Sequence, residues 1–311
     1  GRNQILYRNN WVLDCSLIST NMITKSFRAL KFSLGLRGAR LISSEECIRL
    51  EKAHNCQNYG PVPVVIARGQ GSHVWDCEGN KFLDCIGAYG AVGHGHSHPK
   101  ILAAMMEQLP ILTLTGRCFY NDKLGPFTKY ITELMGYDRC IMMNSGVEGG
   151  ETAIKFARRW GYASKGIAPN QARVAFAKSN FWGRTIAACA SSDDPGRYTD
   201  FVPYNLTFDL VNYNDLEALE TYFQENPDCC AYMIEPIQGE AGVVIPNDGY
   251  LAGVRKLCDK YNVLWIDDEV QSGMGRTGKF LASDHDGVKP DIVILAKSLS
   301  AGYYPVSAVL A

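Results

Sequence analysis

The sequence predicts an α/β fold, a mostly parallel sheet flanked by helices, and three observations carry that expectation. Residues 263–266 and 292–296 are apolar runs too short for helices and rich in β-branched residues, which reads as strands buried on both faces. Each run ends abruptly in charge, the first at Asp267-Asp268-Glu269 and the second at Lys297. Strand-like and helix-like patterns alternate from residue 139 to residue 310, the order of a βαβ chain. With 311 residues, 46% apolar and 20% charged, the chain has room for one large domain or two.

Residues 22–44 are a different material. They carry Lys25, Arg28, Lys31, Arg37 and Arg40, four serines and no acid, and Phe27, Leu30 and Leu34 share one helical side. That is the composition of a mitochondrial transit peptide, although a solvated basic helix has a similar pattern. Residues 1–44 are therefore set apart as a targeting or upstream segment, with Met22 a candidate start. The rest divides into an N-terminal segment, 45–105, and a large domain, 106–311.

Residues 58–63 form an extended, proline-stiffened entry. Residues 64–69 and 73–76 flank Gly71 and suggest a β-hairpin. Next comes a glycine-rich stretch, 87–99, in which His94, His96 and His98 alternate. Three imidazoles on one strand face could bind zinc. The glycines and Pro99 argue for a turn instead, and no fourth ligand is near, so no metal is expected.

Residues 139–144 read as a strand. Ser145-Gly146-Val147-Glu148 then has the S-x-x-E form that opens a helix, with Val147, Ala153, Ile154, Ala157 and Trp160 on its apolar period. A glycine at a helix N-terminus lets free N–H groups and the positive dipole end approach an anion such as a phosphate. Residues 173–177 are a further strand, ending before Asn180-Phe181-Trp182-Gly183-Arg184. Residues 216–223 read as a short helix and 230–235 as a strand with a charged end. Residues 249–261, with Leu251, Val254, Leu257 and Tyr261 in register, form the helix that crosses back to residue 263.

Ligands of open α/β sheets sit outside the carboxyl ends of the strands. Asp268 and Lys297 thus project toward one rim. An amine desolvated there loses basicity and becomes a candidate for a Schiff base with a carbonyl. A buried carboxylate nearby suits a protonated ring nitrogen, the pairing that pyridoxal 5'-phosphate needs. Taken singly, a lysine or an aspartate after a strand is more often a solvated end or a cap.

The surrounding residues resemble a family. Asp268-Glu269-Val270-Gln271-Ser272-Gly273-Met274-Gly275-Arg276-Thr277-Gly278 is similar to the D-E-x-Q-x-G-x-x-R-T-G block of the class-III, fold-type I aminotransferases that act on terminal amines. Lys297-Ser298-Leu299-Ser300-Ala301-Gly302 is similar to their lysine block. Residues 144–152, 181–185 and 235–242 resemble the branch that uses ornithine, and the likeness runs over residues 58–311. It implies pyridoxal phosphate on Lys297, its ring nitrogen at Asp268, its phosphate at Ser145, Gly146 and Val147, Phe181 stacked on the ring and Gln271 at the ring oxygen. It also implies substrate contacts from Tyr59, Tyr89, Arg184 and Glu240. The activity implied moves the δ-amino group of L-ornithine to 2-oxoglutarate, giving glutamate 5-semialdehyde and glutamate, in the mitochondrial matrix. A homodimer or higher homo-oligomer goes with it. Acetylornithine and 4-aminobutyrate are the alternative substrates, and a non-catalytic truncated product is the alternative of another kind.

Three departures stand out. Gly90 and Gly93-His94 replace the usual Ser and Asn-Gln, and Gly149 replaces the common Ala, which should weaken the first helical turns. The sequence stops at Ala311, whereas the family goes on to a loop that reaches the partner's phosphate and to a small C-terminal domain with an arginine for the position of Glu240. That small domain is expected to be absent.

The net charge of −1 offers nothing to nucleic acid or an acidic membrane surface. No apolar run reaches the roughly 18 residues of a membrane span. The eleven cysteines are scattered, with no C-x-x-C, which fits reduced thiols rather than a disulfide frame.

Overall fold

A computed structural model describes residues 42–201 and 203–311. The expected transit segment, residues 1–44, lies outside the described residues except for its last three. The described residues divide into two compact units, one running up to Ala67 and including Trp75–Asn80, the other Arg68–Val74 with Lys81–Ala311.

The first unit contains helix α1 (Ser44–His54), which the sequence reading did not anticipate. Its signal is local: Ser43 is the N-cap and accepts a hydrogen bond from the Glu46 N–H, an S-x-x-E pattern. Glu45 and Glu46 in the first turn and Lys52 and His54 in the last complement the helix dipole. Ser44 fixes the start by donating its N–H and hydroxyl to Glu78, at 3.1 and 2.7 Å.

Three short strands follow, β1 (Ile66–Gln70), β2 (His73–Asp76) and β3 (Lys81–Leu83). The expected turn at Gly71 is present, with φ 56°, where glycine is free of the Cβ penalty.

The second unit is built on a seven-stranded sheet. In chain order its elements are α2 (Pro99–Gln108), α3 (Leu124–Met135), β4 (Cys140–Met143), α4 (Gly146–Trp160), β5 (Arg173–Ala177), α5 (Ile186–Ala190), α6 (Pro195–Tyr198), β6 (Phe208–Val211), α7 (Leu216–Glu225), β7 (Cys229–Ile234), α8 (Tyr250–Tyr261), β8 (Leu264–Asp268), β9 (Ile292–Leu295) and β10 (Ser307–Leu310). The strand order is β4-β10-β9-β8-β7-β5-β6. Only β10 runs against its neighbours; all other pairs in the sheet share one direction.

Strands β7, β9 and β10 are buried along their whole length, because helices cover both faces. On one face Ala153, Ile154 and Ala157 of α4 meet Phe176, Met233, Ile266 and Ile294. On the other, Leu219 and Phe223 of α7 and Leu251, Val254 and Cys258 of α8 meet Ala175, Tyr232 and Trp265. Ile131 of α3 covers Val293 and Leu295 on that second side. Successive strand residues thus alternate between two apolar layers, which is why the runs read as continuous rather than alternating.

Gly149 has a packing reason. A Cβ there would lie 2.8 Å from Ile294 Cγ2, and one on Gly150 would lie 2.5 Å from Trp182 Cε3. Glycine costs helix propensity on the order of 1 kcal/mol per residue, yet α4 runs unbroken and sits close on the sheet. No helix among the described residues is long and apolar enough to cross a membrane.

Candidate active site

The carboxyl ends of β4, β5, β7, β8 and β9 open onto one cavity of about 540 Å³. It is lined by Ser145, Gly146, Val147, Phe181, Asp268, Gln271 and Lys297, and also by Glu235 and Glu240. Seven residues expected to hold a cofactor are therefore brought together, with one of the four expected at the substrate.

Strands β8 and β9 are neighbours, and Asp268 pairs in register with Ile294, three residues before Lys297. Lys297 has the left-handed φ of 41° and opens a short 3-10 turn, Lys297–Ser300. Such a backbone costs roughly 1–2 kcal/mol in a non-glycine residue, so the surrounding turn fixes the side chain's exit. Burial pushes the Lys297 amine below the usual lysine value, while the charges of Asp268, Glu240 and Glu235 pull it back up. Asp268 is 4% exposed and accepts the Val270 N–H at 3.1 Å. Burial pushes its carboxyl up to about 7, against the Val270 hydrogen bond and the Lys297 charge.

Opposite stands the start of α4. Ser145 caps it through the Glu148 N–H at 3.4 Å. Glu148 reaches back to accept from the Asn144 N–H and the Ser145 hydroxyl, both at 3.0 Å. The N–H groups of the first turn have no partners inside the helix, the condition for an anion site. A Cβ on Gly146 would stand 3.0 Å from Val270 Cγ1, so this helix start is packed tightly on the end of β8. Gly183, with φ 149°, carries the Phe181 loop across it; a Cβ there would come within 2.3 Å of Val147 Cγ2.

Glu235 is a site residue that the sequence reading passed over, noting only a charged strand end. It ends β7, is 7% exposed, and its carboxylate accepts the Phe181 N–H at 3.0 Å and the Gly239 N–H at 3.2 Å. It thereby holds the aromatic wall of the cavity and the segment leading to Glu240. Burial, and then the charge of Asp268, push its carboxyl up to about 8. A group whose folded-state pKa is raised contributes stability that is complete below its unfolded value and is lost as pH rises through the folded one. Glu235 and Asp268 both act in this direction. The cofactor-free protein should therefore become less stable as pH rises from about 4 to about 8, by at most on the order of 1.4 kcal/mol per unit of pKa difference for each group. Glu235→Gln keeps an acceptor for Phe181 and should flatten part of that slope. Melting temperatures of both proteins from pH 5 to 8.5 check it; a flat profile for the unsubstituted chain would contradict it.

Gln271 sits in the space that a Cβ on Gly239 would fill, its amide nitrogen 3.4 Å from the Tyr89 carbonyl oxygen and 3.5 Å from Glu240. Gly90 and Gly93, the departures noted above, are matched by their surroundings. Arg276 and Ser298 donate to the Gly90 carbonyl at 2.6 and 2.7 Å, and a Cβ on Gly93 would stand 2.7 Å from Ser298 Oγ. The residue after Lys297 is thus tied to the glycine-rich stretch.

The other three substrate candidates lie elsewhere. Tyr89, 58% exposed with φ 55°, lines an adjoining cavity of about 280 Å³ with Gln271 and Arg276. Arg184 lines, together with Phe181, Trp182 and Gly183, a second cavity of about 650 Å³. Tyr59 belongs to the first compact unit, where it is 55% exposed and lines a groove of about 370 Å³ beside α1.

On the far side of β8, Glu269 accepts from Ser272 Oγ at 2.5 Å and from the Ser283 N–H at 3.1 Å. Burial, and then the charge of Glu269, push the carboxyl of Asp267 beside it well above the usual carboxylate range. Of the histidines, His96 bonds Asp84 at 2.7 Å, and His94 and His98 meet edge to face. No group of three or more His, Cys, Asp or Glu among the described residues is placed to hold a metal ion.

A buried amine, a buried carboxyl, a helix start whose first-turn N–H groups suit an anion and an aromatic wall surround one space. Those are the four demands of a phosphorylated pyridine aldehyde, and the residues fit pyridoxal phosphate.

Residues 55–311 match the family described as "Aminotransferase class-III". The chain is 54% identical over 267 residues to "Ornithine aminotransferase, mitochondrial" of Drosophila melanogaster, covering 86% of this chain and 62% of that protein. Among solved structures, the ornithine aminotransferase of Toxoplasma gondii ME49 superposes with a TM-score of 0.85 at 44% identity, over 94% of this chain and 67% of that one. The acetylornithine aminotransferase of Elizabethkingia anophelis gives 0.76 at 48% identity, over 87% and 64%. The chain spans 61–65% of the length of the animal relatives it matches.

Proposed function

The chain belongs to the class-III aminotransferases, and from that premise we propose that it transfers the δ-amino group of L-ornithine to 2-oxoglutarate, yielding glutamate 5-semialdehyde and glutamate. One observation carries the proposal: Lys297 and Asp268, at the carboxyl ends of adjacent parallel strands, face the same cavity as an open helix start.

Pyridoxal phosphate, when bound, supplies an electron sink that acidifies the C–H bond beside the substrate nitrogen. Lys297 holds the cofactor and then, released, takes that proton and returns it one position away. Its lowered basicity suits both duties, since more of the amine is neutral near pH 7. Asp268 keeps the ring nitrogen protonated; a positive charge brought against its carboxyl draws the proton equilibrium near 7 toward the carboxylate. Ser145, Gly146 and Val147 take the phosphate, Phe181 the ring face and Gln271 the ring oxygen.

Ornithine carries two ammonium groups and one carboxylate. Glu240 is an acid at the cavity for an ammonium, and Arg184, the fork proposed for the carboxylate, lines the second cavity. Tyr89, in the adjoining cavity with Gln271, is the further substrate candidate of the same unit. The identity with the Drosophila protein favours ornithine; the likeness to the Elizabethkingia enzyme keeps acetylornithine as the second reading. The mitochondrial matrix is the proposed location, supported by the basic, acid-free residues 22–44 and by the Drosophila relative's name. The proposed partner is a second copy, supported by exposed Leu109, Ile111, Leu112, Leu114, Phe119 and Tyr120.

Substrate choice supplies the test. Tyr89→Ile should lower turnover of ornithine and raise that of 4-aminobutyrate. Losing one hydrogen bond to a charged group, roughly 1.5–3 kcal/mol, implies a shift in the ratio of at least about tenfold. An unchanged ratio of kcat/KM values would count against ornithine.

A further inference from the structure

The cavity that Arg184 lines contains a second arginine, Arg197, with no duty in the scheme above. Its guanidinium carbon lies 4.6 Å from the centroid of the Phe181 ring. The group is held from two sides, Nε pairing with Asp194 at 3.0 Å and Nη1 donating to the Asn180 carbonyl at 3.2 Å. Asn180 is itself buried and fixed, its amide donating to the carbonyls of Ala177 and Ser191 at 2.8 and 2.7 Å. Behind Phe181, therefore, stands a cation on a rigid mount.

Phe181 lines both this cavity and the one that holds Lys297. Its backbone N–H is held by Glu235, but a single backbone bond leaves the ring free to rotate about its side-chain torsions. A guanidinium over one face of a phenyl ring is attracted by the ring's quadrupole, and guanidinium planes stack well on aromatic faces. We propose that Arg197 is a positioning residue for Phe181: it clamps the outer face of the ring, so that the inner face is presented to a flat heteroaromatic ligand in the Lys297 cavity. The proposal rests on the reading that this ligand is pyridoxal phosphate. It also gives the Asp194 ion pair a purpose, since that bond sets the direction of the guanidinium. A merely structural role would have Arg197 pin α6 to Asn180 and leave the ligand indifferent.

The test uses the 311-residue chain with Arg197→Met, Arg197→Lys, Phe181→Ala and the double variant Phe181→Ala with Arg197→Met. Two quantities are read: the dissociation constant for pyridoxal phosphate by absorbance titration, and amide hydrogen exchange across residues 178–184 in the cofactor-free protein. Arg197→Met should weaken cofactor binding by about threefold to tenfold and speed exchange in that segment. Arg197→Lys, which keeps the charge without the plane, should recover part of both. In the Phe181→Ala background, Arg197→Met should change the dissociation constant by less than about twofold. A changed melting temperature with unaltered affinity and exchange would overturn the clamp, as would an effect undiminished by loss of Phe181. If the unsubstituted chain forms no adduct at Lys297, the functional reading fails, and the clamp is decided in the cofactor-free variants by whether Arg197→Met still speeds exchange once Phe181 is alanine: an undiminished effect overturns it.

Discussion

Asp268→Ala should lose about 10²–10⁴ in turnover while the cofactor-free protein keeps its stability at pH 8. The two halves have separate causes. On the proposed function the carboxylate faces a cation inside a water-poor site, and removing one partner of such a pair costs about 3–5 kcal/mol, which converts to that loss of rate. Without cofactor the same carboxyl is a burden at high pH. Its folded-state pKa of about 7 lies above the ordinary aspartate value, so ionising it in the buried site draws down stability as pH rises from about 4 to 7. Alanine removes that loss. Steady-state rates together with melting curves at pH 5 and pH 8 check both halves. A variant that is inactive only because it is unfolded at pH 8 would argue that Asp268 is a structural acid, needed for its bond to Val270.

Lys297→Ala should abolish activity, by on the order of 10⁴-fold or more, since the proposed function gives both the covalent hold on the cofactor and the proton transfer to that one amine. No other lysine lines the cavity among the described residues. Lys297→Arg separates charge from chemistry. It restores a cation beside Asp268, but a guanidinium is neither a nucleophile nor a base at neutral pH, so activity should stay lost. Recovery in the arginine variant would mean that Lys297 acts through its charge alone.

What was legible in the sequence depended on how local its cause is. Strands β8 and β9 could be read because burial on both faces writes a continuous apolar run, and the charge at each end marks the rim. The start of α4 could be read because a cap is a matter of four residues. Helix α1 carries the same four-residue signal at Ser43 to Glu46, but it stands at the edge of a segment set aside as targeting material. Glu235 repeats the pattern of Asp268, a charge closing a buried strand. Its duty lies in bonds to the N–H groups of Phe181, 54 residues away, and of Gly239, and strand pattern contains neither. The same holds for Arg197, whose partner across the ring is visible only once the loops after β5 are folded. The direction of β10 was not legible either, since a buried run of four reads alike in both orientations. Gly149 shows the opposite failure. Propensity made it a weak point, whereas the approach of α4 to Ile294 makes it the residue that fits. That Arg184 lines a second cavity with Phe181, Trp182 and Gly183 was not legible, since no local pattern says which cavity a loop side chain enters.

The central claim is that the amine of Lys297 is the one that carries pyridoxal phosphate. It is tested by incubating the chain with the cofactor, reducing with borohydride, digesting and mapping the modified peptide by mass spectrometry. The account predicts a single stoichiometric adduct on Lys297, with its visible absorbance lost on reduction, and no adduct in Lys297→Ala. A stoichiometric adduct on any other lysine, or one that survives Lys297→Ala, would contradict it.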